Sequence, residues 1–367
     1  MTTIGVPKEI KKKENRVALL PSAAWQLTKR GHRVLVEAGA GAGCGYEDTE
    51  YVKAGCEIVP AAAGVFEDAD LIVKVKEPQP QEIAMLTPRH TLFTYLHLAA
   101  DKTLTESLMK SGCTAIAYET VEKNRRLPLL EPMSEIAGRM SVMMGAYFLA
   151  KHNGGRGVLL GGVPGVLPGK VLIIGGGTAG MNAAQVATGI GADVTILEVD
   201  VERMRFLDIT MHTAHTLYSN PGALLEELPD VDLIIGAVLV PGAKAPKLIT
   251  REMLHVMKPG TVFVDIAIDQ GGCAETSRPT THDHPTFIEE DVIHYCVANM
   301  PGAYARTATQ ALTNVTFPYV QWLAEGGVSG ACAKHPELKG GINIQGGNLT
   351  NTAVAEAHGL TSSEAIW

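Results

Sequence analysis

The sequence predicts an α/β protein with two doubly wound, mostly parallel sheets, and three observations predict it. Short apolar runs alternate with helix-period stretches along most of the chain, the pattern of strands buried on both faces beneath covering helices. The stretch KVLIIGGGTAGMNAAQVATGIGADVTILE, from Lys170 to Glu198, sets strand, glycine turn, helix and strand in one βαβ unit. Two long helical segments, Ser134 to about His152 and Ala303 to Leu323, flank the central part of the chain. The expectation is two Rossmann-like domains joined by long helices, with a cleft between them where open α/β sheets bind ligands.

In chain order, Thr3–Val6 reads as the first strand. Ser22–Arg30 reads as a helix, with Pro21 before it and Gly31 after it. Val34–Glu37, Leu71–Val75, Leu92–Leu96 and Ala115–Tyr118 are further strands, with helical stretches near Asp48–Ala54, Gln81–Leu86 and Lys102–Lys110. Ser134 is a candidate N-cap for the first long helix, and Lys151 and His152 suit its last turn. RGVLLGGVPGVLPG then follows, too glycine-rich for a regular element. Strands Leu233–Ile235, Val262–Ile266 and His294–Val297 come after the βαβ unit, and Pro318 is expected to kink or break the second long helix. A nucleotide domain of residues 131–303 is thus expected inside a first domain of residues 1–130 plus 304–367. A linear order with a separate C-terminal domain is the alternative.

Within the βαβ unit, the run Val171–Ile174 leads into Gly175, Gly177 and Gly180 at G-x-G-x-x-G spacing. Ala183, Val186, Ala187 and Ile190 then repeat at i, i+3, i+4 and i+7, and Gly191 closes the helix. The second strand, Val194–Leu197, ends on Glu198. Gly175 allows a tight turn, Gly177 lets backbone approach a pyrophosphate, and Gly180 brings helix close to strand. The pyrophosphate would sit at the helix N-terminus. Glu198 would bond the adenosine ribose hydroxyls and repel a 2′-phosphate, so NAD is expected over NADP. Glycines alone would be a weak signal; the flanking strands and the terminal acid make it specific.

Composition narrows the partners. The 367 residues suit about two domains and are 46% hydrophobic, enough for large cores. A net charge of −8 with no basic block beyond Lys11–Lys13 argues against nucleic acid. No apolar run reaches the ~18 residues of a membrane span. MTTIGVPKEIKKKE has no apolar h-region and is not expected to be a signal peptide. The six cysteines, Cys44, Cys56, Cys113, Cys273, Cys296 and Cys332, show no C-x-x-C and read as reduced thiols of a cytoplasmic protein. His282 with His284, and His212 with His215, lack further ligands at usual spacing, so no metal is expected.

Polar residues just past buried strands are where a doubly wound fold presents chemistry. Lys76 and Glu77 end LIVKV, His97 ends FTYL, and Asp269 follows VDIAI; Arg16 precedes apolar VALLP. Singly, each has a plainer reading. Arg16 could be a surface charge, Lys76 could pair with Glu77, His97 could be a bonded core histidine, and Asp269 a turn residue. Jointly, two cations can hold a carboxylate and polarise a carbonyl, a histidine can move protons, and an aspartate can orient ammonia or water. That set fits NAD-linked oxidation of a small amino or hydroxy acid.

The chain resembles the alanine dehydrogenase family over nearly its full length. The resemblance is carried by GVPKEIKKKENRVALLP (Gly5–Pro21), KVKEP (Lys74–Pro78), FTYLHLAA (Phe93–Ala100), PMSEIAGRMS (Pro132–Ser141), GGVPGV (Gly161–Val166), GAVLVPGAKAPKLI (Gly236–Ile249), VDIAIDQGGC (Val264–Cys273) and YCVANMPGA (Tyr295–Ala303). It implies reversible oxidative deamination of L-alanine to pyruvate and ammonium with NAD. It implies Arg16 and Lys76 as substrate-binding residues, His97 as acid/base, and Asp269 as an aid to the water and ammonia steps. On the cofactor side it points to Ser134, Thr178, Ala179, Glu198, Arg203, Ser219, Val238, Leu239, Ile266, Ala267, Ile268, Asp269, Arg278, Val297, Ala298, Asn299 and Met300. It also implies a homohexamer built from dimers. Two departures stand out: Glu198 where Asp is common, and Tyr304-Ala305 where Val-Pro is usual. Rival readings are the NAD-binding component of a transhydrogenase, a dehydrogenase of a larger amino acid, and a non-catalytic NAD sensor in which Arg16, Lys76 and His97 are dispensable.

Overall fold

The computed structural model describes residues 1–239 and 244–366. Residues 240–243, part of the matched segment Gly236–Ile249, lie outside the described residues. The chain forms two compact units, Met1–Pro132 with Gly302–Trp367, and Met133–Pro301.

The first unit carries β1 (Thr3–Val6), β2 (Arg33–Glu37), β3 (Glu57–Val59), β4 (Leu71–Val73), β5 (Thr91–Thr94) and β6 (Thr114–Ala117). The second carries β7 (Lys170–Ile174), β8 (Asp193–Glu198), β9 (Ala214–Tyr218), β10 (Leu233–Gly236), β11 (Val262–Asp265), β12 (Thr286–Glu289) and β13 (Val292–Tyr295). β14 (Ile342–Gln345) and β15 (Asn348–Leu349) follow. One sheet runs β15-β14-β6-β5-β4-β1-β2-β3, the other β12-β13-β11-β10-β7-β8-β9. Strands β1 to β6 pair in parallel, and β14 and β15 add an antiparallel edge. Among the described strands of the second sheet, only β12 is antiparallel. Both parallel sets follow the doubly wound order 3-2-1-4-5-6, with the reversal between β1 and β4 and between β7 and β10.

The cores explain why these runs are strands. Val171, Ile173, Val194, Ile196, Leu233 and Ile235 enter one core of the second unit, whereas Leu172, Ile174, Leu197 and Ile234 enter another. Alternate side chains thus bury on opposite faces of one sheet, which is why the strands read as unbroken apolar runs.

Several boundaries differ from expectation. β4 and β5 end two residues early, at Val73 and Thr94. The amides of Val75 and Lys76 turn to the Glu9 carboxylate, and those of Leu96 and His97 to Glu119. Side chains, not the next strand, satisfy the backbone there. Ser134 is not the N-cap: the helix spans Glu131–Leu149. Pro132 falls in the first turn, where an N–H has no intrahelical partner anyway. Lys151–Asn153 form a separate short turn. Nor does Pro318 break its helix, Ala305–Lys334; the kink falls at Gly327, with φ 61° and ψ −173°. Proline's fixed φ is helical, and Leu312, Thr316, Tyr319 and Val320 around it are buried and hold the helix together. Glycine reaches a backbone conformation that side chains resist.

Candidate active site

In the first unit, chemistry gathers past β4 and β5, beside the strand-order reversal. Lys76 Nζ lies 3.2 Å from His97 Nε2. An ammonium only donates, so His97 Nε2 accepts and the ring is neutral. Burial is the main reason the imidazole is held well below its usual range, and the positive charges of Lys76, Lys11 and Arg16 add to it. His97 is half-buried. Its backbone is left-handed, with φ 51° and ψ 37°, uncommon for a side-chain-bearing residue. The Tyr95 ring stacks on the imidazole at 5.8 Å between centroids, and its hydroxyl donates to the Leu129 carbonyl at 2.5 Å.

Arg16 is no surface charge. It is 1% exposed, and its Nε and Nη2 donate to the two Glu14 oxygens at 2.7 and 2.5 Å. Burial opposes its charge, but Glu14 more than offsets that and raises its pKa. Glu77 pairs with Lys11. Lys74, two residues before Lys76, is fully buried between Glu9 at 3.1 Å and Glu82 at 2.7 Å. Glu9 also accepts from Val75 N at 2.6 Å and Lys76 N at 3.3 Å, so it ties the charge cluster to the bend that carries Lys76.

The second unit builds a cradle. Gly175 has φ 99°, and a Cβ on it would lie 2.7 Å from the Ala237 carbonyl oxygen. A Cβ on Gly180 would overlap the Gly175 carbonyl, so helix Thr178–Gly189 packs hard on the turn. At Gly177 a Cβ would meet nothing within 4 Å. Space therefore opens at the helix N-terminus, flanked by Thr178 and Ala179, and fits a dinucleotide's pyrophosphate. Glu198 Oε2 accepts from Gly176 N at 2.8 Å, and Oε1 accepts from Val199 and Asp200 N at 2.7 and 3.0 Å. Arg203 Nε donates to the Gly176 carbonyl at 2.7 Å, and Ser219 N to the Glu198 carbonyl at 2.8 Å. Glu198 and Arg203 thus meet at the glycine turn, and Ser219 stands beside Glu198. Ser134 stands one helical turn before Gly138, whose missing Cβ admits the Ala179 carbonyl.

A second group forms past β11 and β13. Asp265 Oδ1 accepts from Ala267 N at 3.0 Å, and Oδ2 accepts from Cys273 N at 2.9 Å and Ser277 Oγ at 2.5 Å. This fixes the turn Ile266–Gln270, which presents Ile266, Ala267, Ile268 and Asp269. Asp269 Oδ1 accepts from Asn299 N at 3.4 Å, joining that turn to Val297–Met300. Val238 is half-buried and Leu239 exposed just past β10. The Arg278 guanidinium lies 3.9 Å from the Phe287 ring centroid. All six cysteines are free and buried. Among the described residues no group of His, Cys, Asp and Glu could hold a metal ion.

Glu9, Glu14, Glu119, Tyr95 and Asp265 carry no signal of their own among the motifs read from the sequence. The strand-end rule that found His97 could have found Glu119, two residues past β6. Glu14 gave no such signal, because a carboxylate near an arginine usually reads as a solvated pair.

Family models describing the alanine dehydrogenase/PNT N-terminal and C-terminal domains match residues 5–137 and 141–352. The chain belongs to the alanine dehydrogenase/PNT family. Within it, an alanine dehydrogenase from Halomonas elongata is 55% identical over 99% of this chain and 98% of that protein. A solved L-alanine dehydrogenase superposes with a TM-score of 0.92 at 51% identity, covering 97% of this chain and 98% of the other. A transhydrogenase from Sinorhizobium meliloti superposes with a TM-score of 0.80 at 25% identity, over 96% of this chain and 99% of that one. The alanine dehydrogenase/PNT family thus spans nearly the whole chain, and the Rossmann-type α/β fold follows with it.

Proposed function

We propose that this chain catalyses the reversible oxidative deamination of L-alanine to pyruvate and ammonium with NAD. The observation that carries the proposal is the 3.2 Å contact between Lys76 Nζ and a neutral His97 Nε2, with Arg16 among the charges acting on that ring. The likeness of the whole chain to alanine dehydrogenases at 55% identity supports it, as does the glycine cradle of the second unit.

When bound, NAD would supply the acceptor for a hydride from the substrate Cα. The glycine turn Gly175–Gly180, with Thr178 and Ala179, would hold its pyrophosphate. Glu198, Arg203 and Ser219 would hold the adenosine end, and Ser134, Val238, Leu239, Ile266–Asp269, Arg278 and Val297–Met300 the remainder. Arg16 and Lys76 supply positive charge to the substrate carboxylate and to the oxygen that becomes the pyruvate carbonyl. His97, neutral and aimed at the lysine, takes a proton from the water that adds to the substrate imine and returns it to departing ammonia. General acid–base help of this kind contributes about 10²–10⁴-fold. Asp269 orients the water and ammonia.

Among the described residues no helix is long and apolar enough to cross a membrane. We infer a cytoplasmic enzyme with small-molecule substrates, assembled as a homohexamer, as the family resemblance implies. The transhydrogenase reading draws on the Sinorhizobium meliloti likeness. A panel of L-amino acids assayed by NADH absorbance separates the readings. Alanine is expected to give the highest kcat/KM, and an inert panel would leave only cofactor binding.

The cofactor preference has its own test. Glu198 also holds the Gly176, Val199 and Asp200 amides, so its loss loosens a turn that NAD and NADP would share. The ratio of their kcat/KM values therefore isolates the ribose end. Wild type is expected to favour NAD by at least about 30- to 100-fold, from a lost hydroxyl donor and a like-charge contact. Glu198→Gln, which keeps an acceptor for Gly176, should narrow that ratio about tenfold. An unchanged ratio would remove Glu198 from the ribose site.

A further inference from the structure

Glu119 lies on a turn, Tyr118–Thr120, that directly follows β6. β5 and β6 are parallel neighbours in register, with Thr94 opposite Ala117. Two residues past Ala117 therefore stand beside the two or three residues past Thr94, and Glu119 meets Leu96 and His97. Its Oε1 accepts from His97 N at 2.6 Å and Leu96 N at 3.1 Å, and Oε2 accepts from Leu96 N at 3.2 Å. These amides have left the β ladder, and His97 stands at φ 51° and ψ 37°. A left-handed histidine is unfavourable on its own and persists only where its surroundings over-determine it. The stacked Tyr95 ring supports one face of the imidazole, its centroid 5.8 Å away. The adjoining Tyr118 hydroxyl donates to the Lys74 carbonyl at 2.9 Å, binding the ends of β4 and β6 together.

We propose that Glu119 is a positioning residue for the acid/base: its carboxylate clamps the Leu96 and His97 amides in the left-handed turn that aims the imidazole at Lys76. This deepens the reading of His97 as the acid/base and rests on it. Glu119 touches no reacting atom in this scheme. Its hydrogen bonds reach the acid/base through the His97 and Leu96 amides, and the Lys76 charge also acts on the Glu119 carboxylate. A misplacement of about 1 Å can cost on the order of 10²-fold in rate.

The test is a double-mutant cycle of Glu119→Ala and His97→Ala with pyruvate, ammonium and NADH, with Glu119→Gln as the conservative variant. Oε1 takes both amides, so a glutamine carbonyl there can replace it. Glu119→Gln should keep kcat within about fivefold of wild type. Glu119→Ala should lower kcat about 10- to 100-fold while KM for pyruvate moves less than about threefold. In the His97→Ala background, adding Glu119→Ala should lower kcat no further, because a residue acting only through His97 has nothing left to position. A full additional loss in that background would overturn the proposal, as would wild-type kcat in Glu119→Ala. Should Glu119→Ala fail to fold, the same cycle is run with Glu119→Asp, whose shorter reach loosens the clamp; the same two outcomes decide it. Near wild-type turnover of His97→Ala alone would instead remove the acid/base reading, an outcome distinct from additivity.

Discussion

Replacing His97 with Ala is expected to lower kcat by about 10²-fold or more in both directions, with NADH binding retained. The imidazole is the group that accepts from Lys76 at 3.2 Å, and the cofactor cradle belongs to the other unit. The loss should therefore appear in kcat and leave the NADH Kd, measured by cofactor fluorescence, within about threefold. The pH dependence follows from the depressed imidazole pKa. A base whose pKa is lowered stays deprotonated to lower pH, so the His97 limb of the deamination profile should fall below about pH 6.5, the ordinary histidine value. Linkage has the matching sign. Below that value the unfolded chain binds a proton that the folded site rejects, so stability declines as pH falls and rises with pH through this window. His97→Gln should flatten that slope. Near wild-type turnover of His97→Ala would make His97 a packed histidine, as His294 is between Phe263 and Phe287.

The second large effect is expected at Lys76. On the proposed role of Lys76, removing its ammonium takes away a donor to the oxygen where negative charge develops, and kcat/KM for pyruvate should fall about 10²–10³-fold. A second signature comes with it. Lys76 is, after burial, the largest charge holding the His97 pKa down, so without it that pKa rises. The acid/base limb of the deamination profile should move toward higher pH in Lys76→Ala, and remain near its wild-type position in Lys76→Arg, which keeps the charge. Kinetics unchanged in a merely less stable enzyme would make Lys76 structural.

How much of this was legible in the sequence depended on how local the cause was. The strands and the glycine turn were readable because their determinants are neighbours in the chain: apolar runs, glycine spacing and a terminal acid. Lys76 and His97 were readable through one topological rule, that chemistry lies past the ends of parallel strands. Glu119 obeys that rule too, but its partners are Leu96 and His97, and only the β5–β6 register brings them together. The environment of Arg16 was not legible in the sequence. A buried guanidinium clamped by Glu14 and a surface arginine share the same local sequence. The early ends of β4 and β5 have the same origin, since Glu9 and Glu119 capture amides from distant positions. Pro318 misled because the rule for proline concerns an isolated helix, whereas here a buried face carries the helix past it to Gly327.

The stoichiometry of alanine oxidation decides whether this chain catalyses the proposed reaction. The protein is incubated with L-alanine and NAD at alkaline pH, where the substrate amine is neutral. NADH is read by absorbance, pyruvate by a coupled lactate assay and ammonium by a chemical assay on the same sample. Equal amounts of NADH, pyruvate and ammonium are expected, all abolished together by His97→Ala. NADH without pyruvate and ammonium, or no alanine-dependent NADH from a folded protein that binds NADH, would contradict it.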